Sequence, residues 1–326
     1  MRDNFIRDQK SVWFFVRESE PSFDPANVFS RLDSIHTDVL PRDISLHVMP
    51  IGGTSRARKQ FSITITPENE RLERMVASAL AEQRGGHYGR DITPAVCNFV
   101  ERVASRLMHY GKAVFEIVFL RDQQSNDLMG CDLFEINVRS LVFSREHVAQ
   151  KVPAEVAAER NVSTIIELDL SRLAIFSLPR EFENIADVKE SLARLGGGSL
   201  TQMYEAARQD NKLGYDIKEH IRSEHLAIAA ATRSIGWDAN QNLYELFTEY
   251  YVLYRRLLFE AFVITLRESI LATLNVAIQR IAKQFGTNAK LEVADLPTLM
   301  DVNRAKKELS AGDRTFGSVL DDFSLL

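Results

Sequence analysis

The sequence lacks most of the features that mark secreted, membrane and metal-binding proteins. Only two cysteines, Cys97 and Cys131, occur in 326 residues, and both lie in apolar surroundings without metal-ligand spacing. We therefore expect reduced core thiols of a cytoplasmic protein. The N-terminus has no apolar secretory segment, and no window approaches the roughly 18 uncharged residues that a membrane span needs. No membrane partner is predicted.

Catalytic signatures are also missing. The seven histidines are scattered, and His220 and His225, five residues apart, fall on different faces of a predicted helix. No His-Glu-x-x-His pair, Gly-x-Ser-x-Gly turn, Gly-x-Gly-x-x-Gly loop or nucleophilic cysteine pattern occurs. The sequence thus predicts a protein that is not an enzyme, with no catalytic residue, cofactor or metal.

Glu116 and Glu135 are the exception to be weighed. They lie on neighbouring predicted strands, where metal-dependent nucleases place acidic ligands. Such sites usually add a lysine two residues on, but Val118 and Asn137 occupy these positions. Solvated strand residues are the favoured interpretation, and a metal-dependent nuclease stays as the least favoured function.

The charge balance argues against tight binding of nucleic acid. With 40 basic and 45 acidic residues, the formal charge is −5. Tight nucleic-acid binding needs clustered lysine and arginine, so a general DNA-gripping surface is not expected. A protein that lets DNA slide past remains compatible with this composition.

One stretch dominates the chain: residues 237–285 contain neither glycine nor proline and repeat their apolar side chains at helical spacing. We predict a long central helix, either bent near Asn275 or part of an elongated subunit. Near its middle, apolar residues surround the helix, which indicates neighbours on every side. These come either from one chain's core or from other copies. The candidate oligomer-interface residues are Leu257, Phe259, Phe262 and Leu266.

The remaining pattern predicts an α+β fold that is mainly helical. Residues 11–16 form a buried first strand or the start of a docking arm, and strands at 44–49 and 60–66 flank a loop. Helices at 68–82 and 93–110 precede a sheet built from residues 112–120, 132–138, 140–143, 165–170 and 173–178. We place a boundary at the glycines 196–198, between an α+β domain, 1–195, and a helical domain, 196–326, with a C-terminal tail.

The loop at residues 52–59 joins a glycine pair to three basic residues. Arg56, Arg58 and Lys59 are the side chains chosen from composition as candidate DNA-facing groups. The loop lacks the rest of a phosphate-binding P-loop, so an exposed hairpin tip is the favoured interpretation.

Several short motifs follow one another in the order found in tailed-bacteriophage portal proteins, the head-tail connectors. Tyr110-Gly111-Lys112-Ala113-Val114-Phe115-Glu116-Ile117 resembles the family's "YGNAYxEI" segment, and residues 137–142 resemble its "P.V"-like position. Next come a strand before Pro179, the Gly198-Ser199-Leu200 element and the end of a helix at residues 228–237. Arg267, Ile270, Leu274, Asn275 and Ile278 match "R..I...LN..I", and residues 305–315 resemble "L..G..T". The resemblance covers about residues 95–320.

The resemblance implies a portal-like fold with wing, stem and clip, and a homo-oligomeric ring of about a dozen copies that closes on itself. Its channel would carry double-stranded DNA during genome packaging and ejection. The implied partners are further copies of the chain, a packaging motor, capsid, and neck or tail proteins. The implied location is the virion and the bacterial host cytoplasm.

One departure from the family leaves a second function open. Where portals place the stem and clip, only the short polar stretch 201–227 intervenes, so the clip is predicted to be abbreviated. The alternative is a cytoplasmic interaction protein, portal-derived or acting in antiphage defence, without a channel.

Overall fold

The computed structural model describes residues 5–14, 35–49, 61–81, 91–144, 147–182, 184–196, 217–239 and 246–323. Over these ranges the fold is α+β with helix predominating, which confirms the predicted fold class. The basic loop with Arg56, Arg58 and Lys59 and the Gly198-Ser199-Leu200 element lie outside the described residues.

The described part of the chain contains nine α-helices and nine β-strands. The helices are α1 Ile35–Val48, α2 Glu70–Leu80, α3 Ile92–Tyr110, α4 Ala154–Arg160, α5 Ile185–Gly196, α6 Ile217–Ala231, α7 Glu249–Gln284, α8 Leu299–Ala311 and α9 Phe316–Phe323. The strands are β1 Phe5–Arg7, β2 Ser62–Thr66, β3 Lys112–Asp122, β4 Leu128–Ile136, β5 Leu141–Phe143, β6 Val148–Lys151, β7 Ile165–Leu168, β8 Leu173–Ser177 and β9 Lys290–Ala294.

Two compact units divide the chain, and both are discontinuous in sequence. Unit 1 comprises Met1–Arg31, Gln60–Leu178 and Arg267–Leu296, and unit 2 comprises Leu32–Lys59, Pro179–Leu266 and Pro297–Leu326. The single boundary predicted at residue 195/196 differs from this partition. Helix α7 contributes residues to both units, so a linear division could not describe them.

The strand β3 is the centre of unit 1. Along one edge it pairs antiparallel with β4, from Val114 opposite Ile136 to Arg121 opposite Leu128. Its other edge is shared, because β8 pairs with its first half and β1 with its end. Residues 8–14 follow β1 without forming a further strand.

Each face of this sheet is covered within unit 1. On one face, α3 packs Phe99 against Phe115 and Phe176, with ring centroids 5.0 and 5.8 Å apart. This helix is capped at its start by Asp91, whose side chain accepts from the Thr93 N–H. It ends at Tyr110, the predicted last residue, before left-handed Gly111. The opposite face packs on the sheet β5-β6-β7 through a continuous apolar cluster.

A two-stranded sheet corrects the predicted hairpin. The strand β2 pairs with β9, Ser62 opposite Ala294, rather than with residues 44–49. These residues belong to α1, in which Leu40, Ile44 and Val48 are fully buried at helical spacing. Asn275 of α7 holds β9 by accepting from the Leu291 N–H at 3.0 Å and donating to its carbonyl at 3.3 Å.

The long helix α7 is shorter than predicted. It begins at Glu249 instead of residue 237, because the Thr248 side chain accepts from the Tyr251 N–H and caps it. It ends before left-handed Gly286, close to the predicted end at residue 285. Its 36 residues are about 54 Å long, and no break occurs at Asn275.

The N-terminal half of α7 packs inside unit 2. Leu253, Leu257 and Ile264 form a core cluster with α8 and α9. Buried Arg255 donates to the Ala229 carbonyl at 2.8 Å and to the Trp237 carbonyl at 2.6 Å, at the C-terminal end of α6. A cation is favourable there because carbonyl groups at a helix end carry partial negative charge.

Candidate assembly surfaces

The predicted oligomer interface is part of the chain's own core. Leu257 and Leu266 are fully buried, and Phe262 is 3% exposed, with its ring 4.3 Å from that of Phe182. Phe259 is partly buried, and its ring lies 5.7 Å from His47. Neighbours from the same chain therefore already cover three of the four side chains predicted to contact other copies, and Phe259 alone among them stays partly exposed.

The two carboxylates weighed as a nuclease site point to opposite faces of the sheet. Residues directly opposite in an antiparallel pair share a face, and Glu135 lies opposite Phe115 whereas Glu116 lies opposite Phe134. Glu135 forms an ion pair with Arg106 of α3 at 2.6 Å. The two groups therefore cannot coordinate one metal ion.

Glu116 holds the N-terminal segment instead. This carboxylate is 3% exposed and accepts from the Lys10 and Ser11 N–H groups, each at 2.9 Å, and from the Ser11 hydroxyl. Three donors on one buried carboxylate offset much of the cost of removing its charge from water. The role that the structure gives Glu116 is to anchor the extended chain.

A buried amide continues this anchoring. Gln150 of β6 accepts from the Val12 N–H at 2.9 Å and donates to the Val12 carbonyl at 2.7 Å. It also donates to the Ser140 hydroxyl at 3.2 Å, which fixes the orientation of the amide. The two hydrogen bonds to Val12 reproduce what a neighbouring strand would offer to an extended backbone.

Charge pairing fixes the start of the same segment. Asp8 forms an ion pair with Arg172 at 2.6 Å and accepts from the Phe119 N–H at 2.7 Å. At the other end, Phe14 is 6% exposed and packs with Val152 and Ala157. We call residues 5–14 the arm, and the surface formed by Glu116, Gln150 and Arg172 the arm groove.

The arm leaves apolar side chains in water. Phe5 is 41% exposed, Ile6 51% and Trp13 58%, although the backbone between them is fixed. Sequence analysis indicated a buried strand or a docking arm at residues 11–16. The apolar residues there gave that signal, but no feature of the sequence indicated that Gln150 and Arg172 bind this segment.

A second exposed surface lies on unit 2. The rings of Tyr250 and Tyr254 are 6.5 Å apart and nearly parallel, and Phe316 lies 6.5 Å from Tyr250. These three side chains, 37 to 44% exposed, form what we call the aromatic patch. Lys306 sits 5.9 Å from the Tyr254 ring centroid, and partial burial lowers the pKa of its ammonium group.

Neither thiol is poised for chemistry. Both cysteines are free, and burial, with smaller contributions from nearby carboxylates, raises the pKa of Cys97 and of Cys131 to about 12. A thiol with such a pKa is almost entirely protonated at neutral pH and is a poor nucleophile. Among the described residues, no group of three His, Cys, Asp or Glu side chains is arranged to hold a metal ion.

An open depression of about 570 Å³ lies between α5 and the turn that follows α6. Its lining contributes one carboxylate, Asp187, and one guanidinium, Arg233, beside small polar and apolar side chains. Among the described residues, this lining offers no histidine, cysteine or paired carboxylates.

The apolar length of α7 also meets a membrane-span criterion. Within the described ranges it is the one helix long and apolar enough to cross a bilayer, with a mean hydropathy of 1.5 in its best window. Half of that window is buried inside the chain, and the core helices of soluble proteins pass the same test.

Comparison with known proteins adds no family assignment. No protein-family model matches the chain, and no curated protein matches it significantly in sequence. The likeness to portal proteins therefore depends on the ordered motifs in the sequence.

Proposed function

We propose that the chain is a portal-like structural protein that assembles into a ring and conducts double-stranded DNA during genome packaging and ejection. The observation that carries the proposal is α7, a 36-residue helix that follows the sheet and ends at Gln284, just before left-handed Gly286. It occupies the place of the long helix in the motif order of portal proteins.

Other described elements support the same order. The helix α3 ends at Gly111 and leads directly into the β3–β4 pair, and β8 ends just before Pro179. A net charge of −5 suits a channel wall, because phosphates held tightly by basic groups would slow DNA transport. A packaging motor, capsid, and neck or tail proteins would be its partners in the virion.

One observation favours a second candidate, a cytoplasmic interaction protein without a channel. The apolar residues in the middle of α7 are covered by their own chain, so this helix does not itself require further copies. Ring formation separates the two candidates.

The first test is particle mass by mass photometry at near-physiological salt, with negative-stain images of the same sample. We expect particles of about twelve times the 37.0-kDa chain mass, with a central hole. A monomer or dimer at all accessible concentrations would overturn the ring and favour the interaction protein.

A further inference from the structure

The arm groove has the chemistry of a peptide-binding site that the chain fills with its own residues. Glu116 and Gln150 are 3% and 0% exposed, and between them they bind the backbone of Lys10, Ser11 and Val12. Buried groups that contact main-chain N–H and C=O groups recognise an extended segment as an added strand would. Arg172, through Asp8, and the Ser11 hydroxyl then select this segment's sequence.

The occupant does not need to come from the same copy. The arm contributes only the three-residue strand β1 to the sheet, and the contacts of residues 8–14 are made largely by side chains of unit 1. Every copy carries one arm and one groove with matching chemistry. Exchange of such a segment between identical chains retains all of these contacts, as in domain swapping.

The connection permits exchange. Residues 15–34, twenty in number, separate Phe14 from Ile35 at the start of α1. Fully extended, twenty residues span at most about 66 to 72 Å. A compact chain of 326 residues has a radius of gyration of about 20 Å, so such a connection can reach an adjacent copy.

The exposed side chains of the arm favour a neighbour nearby. Phe5, Ile6 and Trp13 remain 41 to 58% exposed when the arm is docked within one chain. Burial of apolar side chains against another surface is stabilising, so packing of a second copy beside the docked arm would be favourable.

We propose that the arm of one copy docks in the arm groove of the next copy, so that the arms link the ring. This inference rests on the proposed ring. It assigns Glu116 and Gln150 as the residues that bind the neighbour's arm, and it makes Trp13 a contact between copies.

The test is a disulfide between β1 and β3. Arg7 lies opposite Leu120, next to the pair in which the Asp8 N–H donates to the Phe119 carbonyl. The 7–120 pair is therefore not hydrogen-bonded, and such pairs bring Cα atoms to about 4.5 Å, close enough for a disulfide. The full-length Arg7→Cys/Leu120→Cys variant is oxidised, and its products are separated on a denaturing gel without reductant.

The expected result is a ladder of covalent multimers from a sample that forms rings by mass photometry. If the sample forms rings but the gel shows only single chains with an internal disulfide, exchange is overturned and the proposed function stays intact. If mass photometry shows only single chains and the disulfide forms within each chain, both the exchange and the proposed function are overturned. Failure to form either disulfide would show that the arm does not occupy this register and would overturn the inference.

Two comparisons make the result specific. The single variants Arg7→Cys and Leu120→Cys should give no ladder, since the protonated native thiols react poorly. Adding Glu116→Gln, which turns an amide N–H toward the donors of the arm, should slow ladder formation about tenfold or more. Adding Glu135→Gln, on the opposite face of the same strand pair, should leave the rate unchanged.

Discussion

At the scale of single residues, Gly236 shows how closely two segments of unit 2 approach each other. Its φ is +74°, and a Cβ placed there would lie 2.1 Å from the carbonyl oxygen of Arg255. Directly beside it, the Trp237 carbonyl accepts from the buried Arg255 guanidinium. The turn after α6 is therefore held in this conformation by Arg255 in two ways: its backbone leaves no room for a Cβ at residue 236, and its side chain donates to the Trp237 carbonyl.

Replacing this glycine is expected to destabilise the fold by more than backbone strain alone. A left-handed alanine costs about 1 to 2 kcal/mol, and the collision with Arg255 adds about 1 to 3 kcal/mol. Gly236→Ala should therefore lower the free energy of unfolding of unit 2 by about 2 to 5 kcal/mol. Urea unfolding followed by tryptophan fluorescence measures it, in a Trp13→Phe background in which buried Trp237 is the remaining tryptophan of the chain.

The matched control is Gly312→Ala, in the same unit. Its φ is +77°, but no atom lies within 4 Å of the added Cβ, so only the strain of about 1 to 2 kcal/mol applies. Equal losses for the two variants would show that the approach of Arg255 does not limit this turn.

At the scale of elements, the exposed and the buried aromatic residues of α7 should behave differently. Phe262 packs against Phe182 in the core, so Phe262→Asp should abolish the folded state of unit 2 and reduce helix content by circular dichroism. Tyr250 is 44% exposed in the first turn of α7, where an acidic side chain is compatible with the helix dipole.

We expect Tyr250→Asp to keep its helix content and to lose the ring, because the aromatic patch is the exposed apolar surface of α7 nearest its start. Mass photometry and circular dichroism on the same sample measure both effects. A Tyr250→Asp ring that stays assembled would exclude the patch as a contact between copies.

The contrast between these residues shows how far sequence reasoning could go. Local signals located helix ends correctly, as at Gly111 and Gly286, where a left-handed position requires glycine. The all-round apolar segment of α7 predicted neighbours on every side, and in the structure Leu258, Phe259 and Ala261 of this segment stay partly exposed. Periodicity does not say whether those neighbours belong to the same chain or to other copies, and for Leu257, Phe262 and Leu266 the structure supplies them from the same chain.

The pairing of distant segments also could not be predicted from the sequence. Residues 44–49 fit a strand by alternation and a helix by the spacing of Leu40, Ile44 and Val48, and burial of that helical face decided for α1. The strand β6, which carries Gln150, was missed because four residues give too little pattern. The arm groove depends on contacts more than a hundred residues apart, and no local signal encodes those.

At the scale of the whole molecule, the charge balance predicts weak contact with DNA. With a net charge of −5, we expect a Kd for double-stranded DNA no tighter than about 10⁻⁵ M at physiological salt. Fluorescence anisotropy with a labelled duplex of random sequence measures this affinity on the assembled sample. Submicromolar binding at that salt would contradict a wall that lets DNA slide.

The pairing of β2 with β9 also bears on how the chain is made. Thr66 emerges from the ribosome long before its register partner Lys290, and synthesis of the intervening chain takes about 10 to 50 s at about 5 to 20 residues per second. During that interval β2 has no strand partner, so its edge is open to other nascent chains. Unit 1 therefore depends on protection of the growing polypeptide, and translation speed becomes a determinant of its yield.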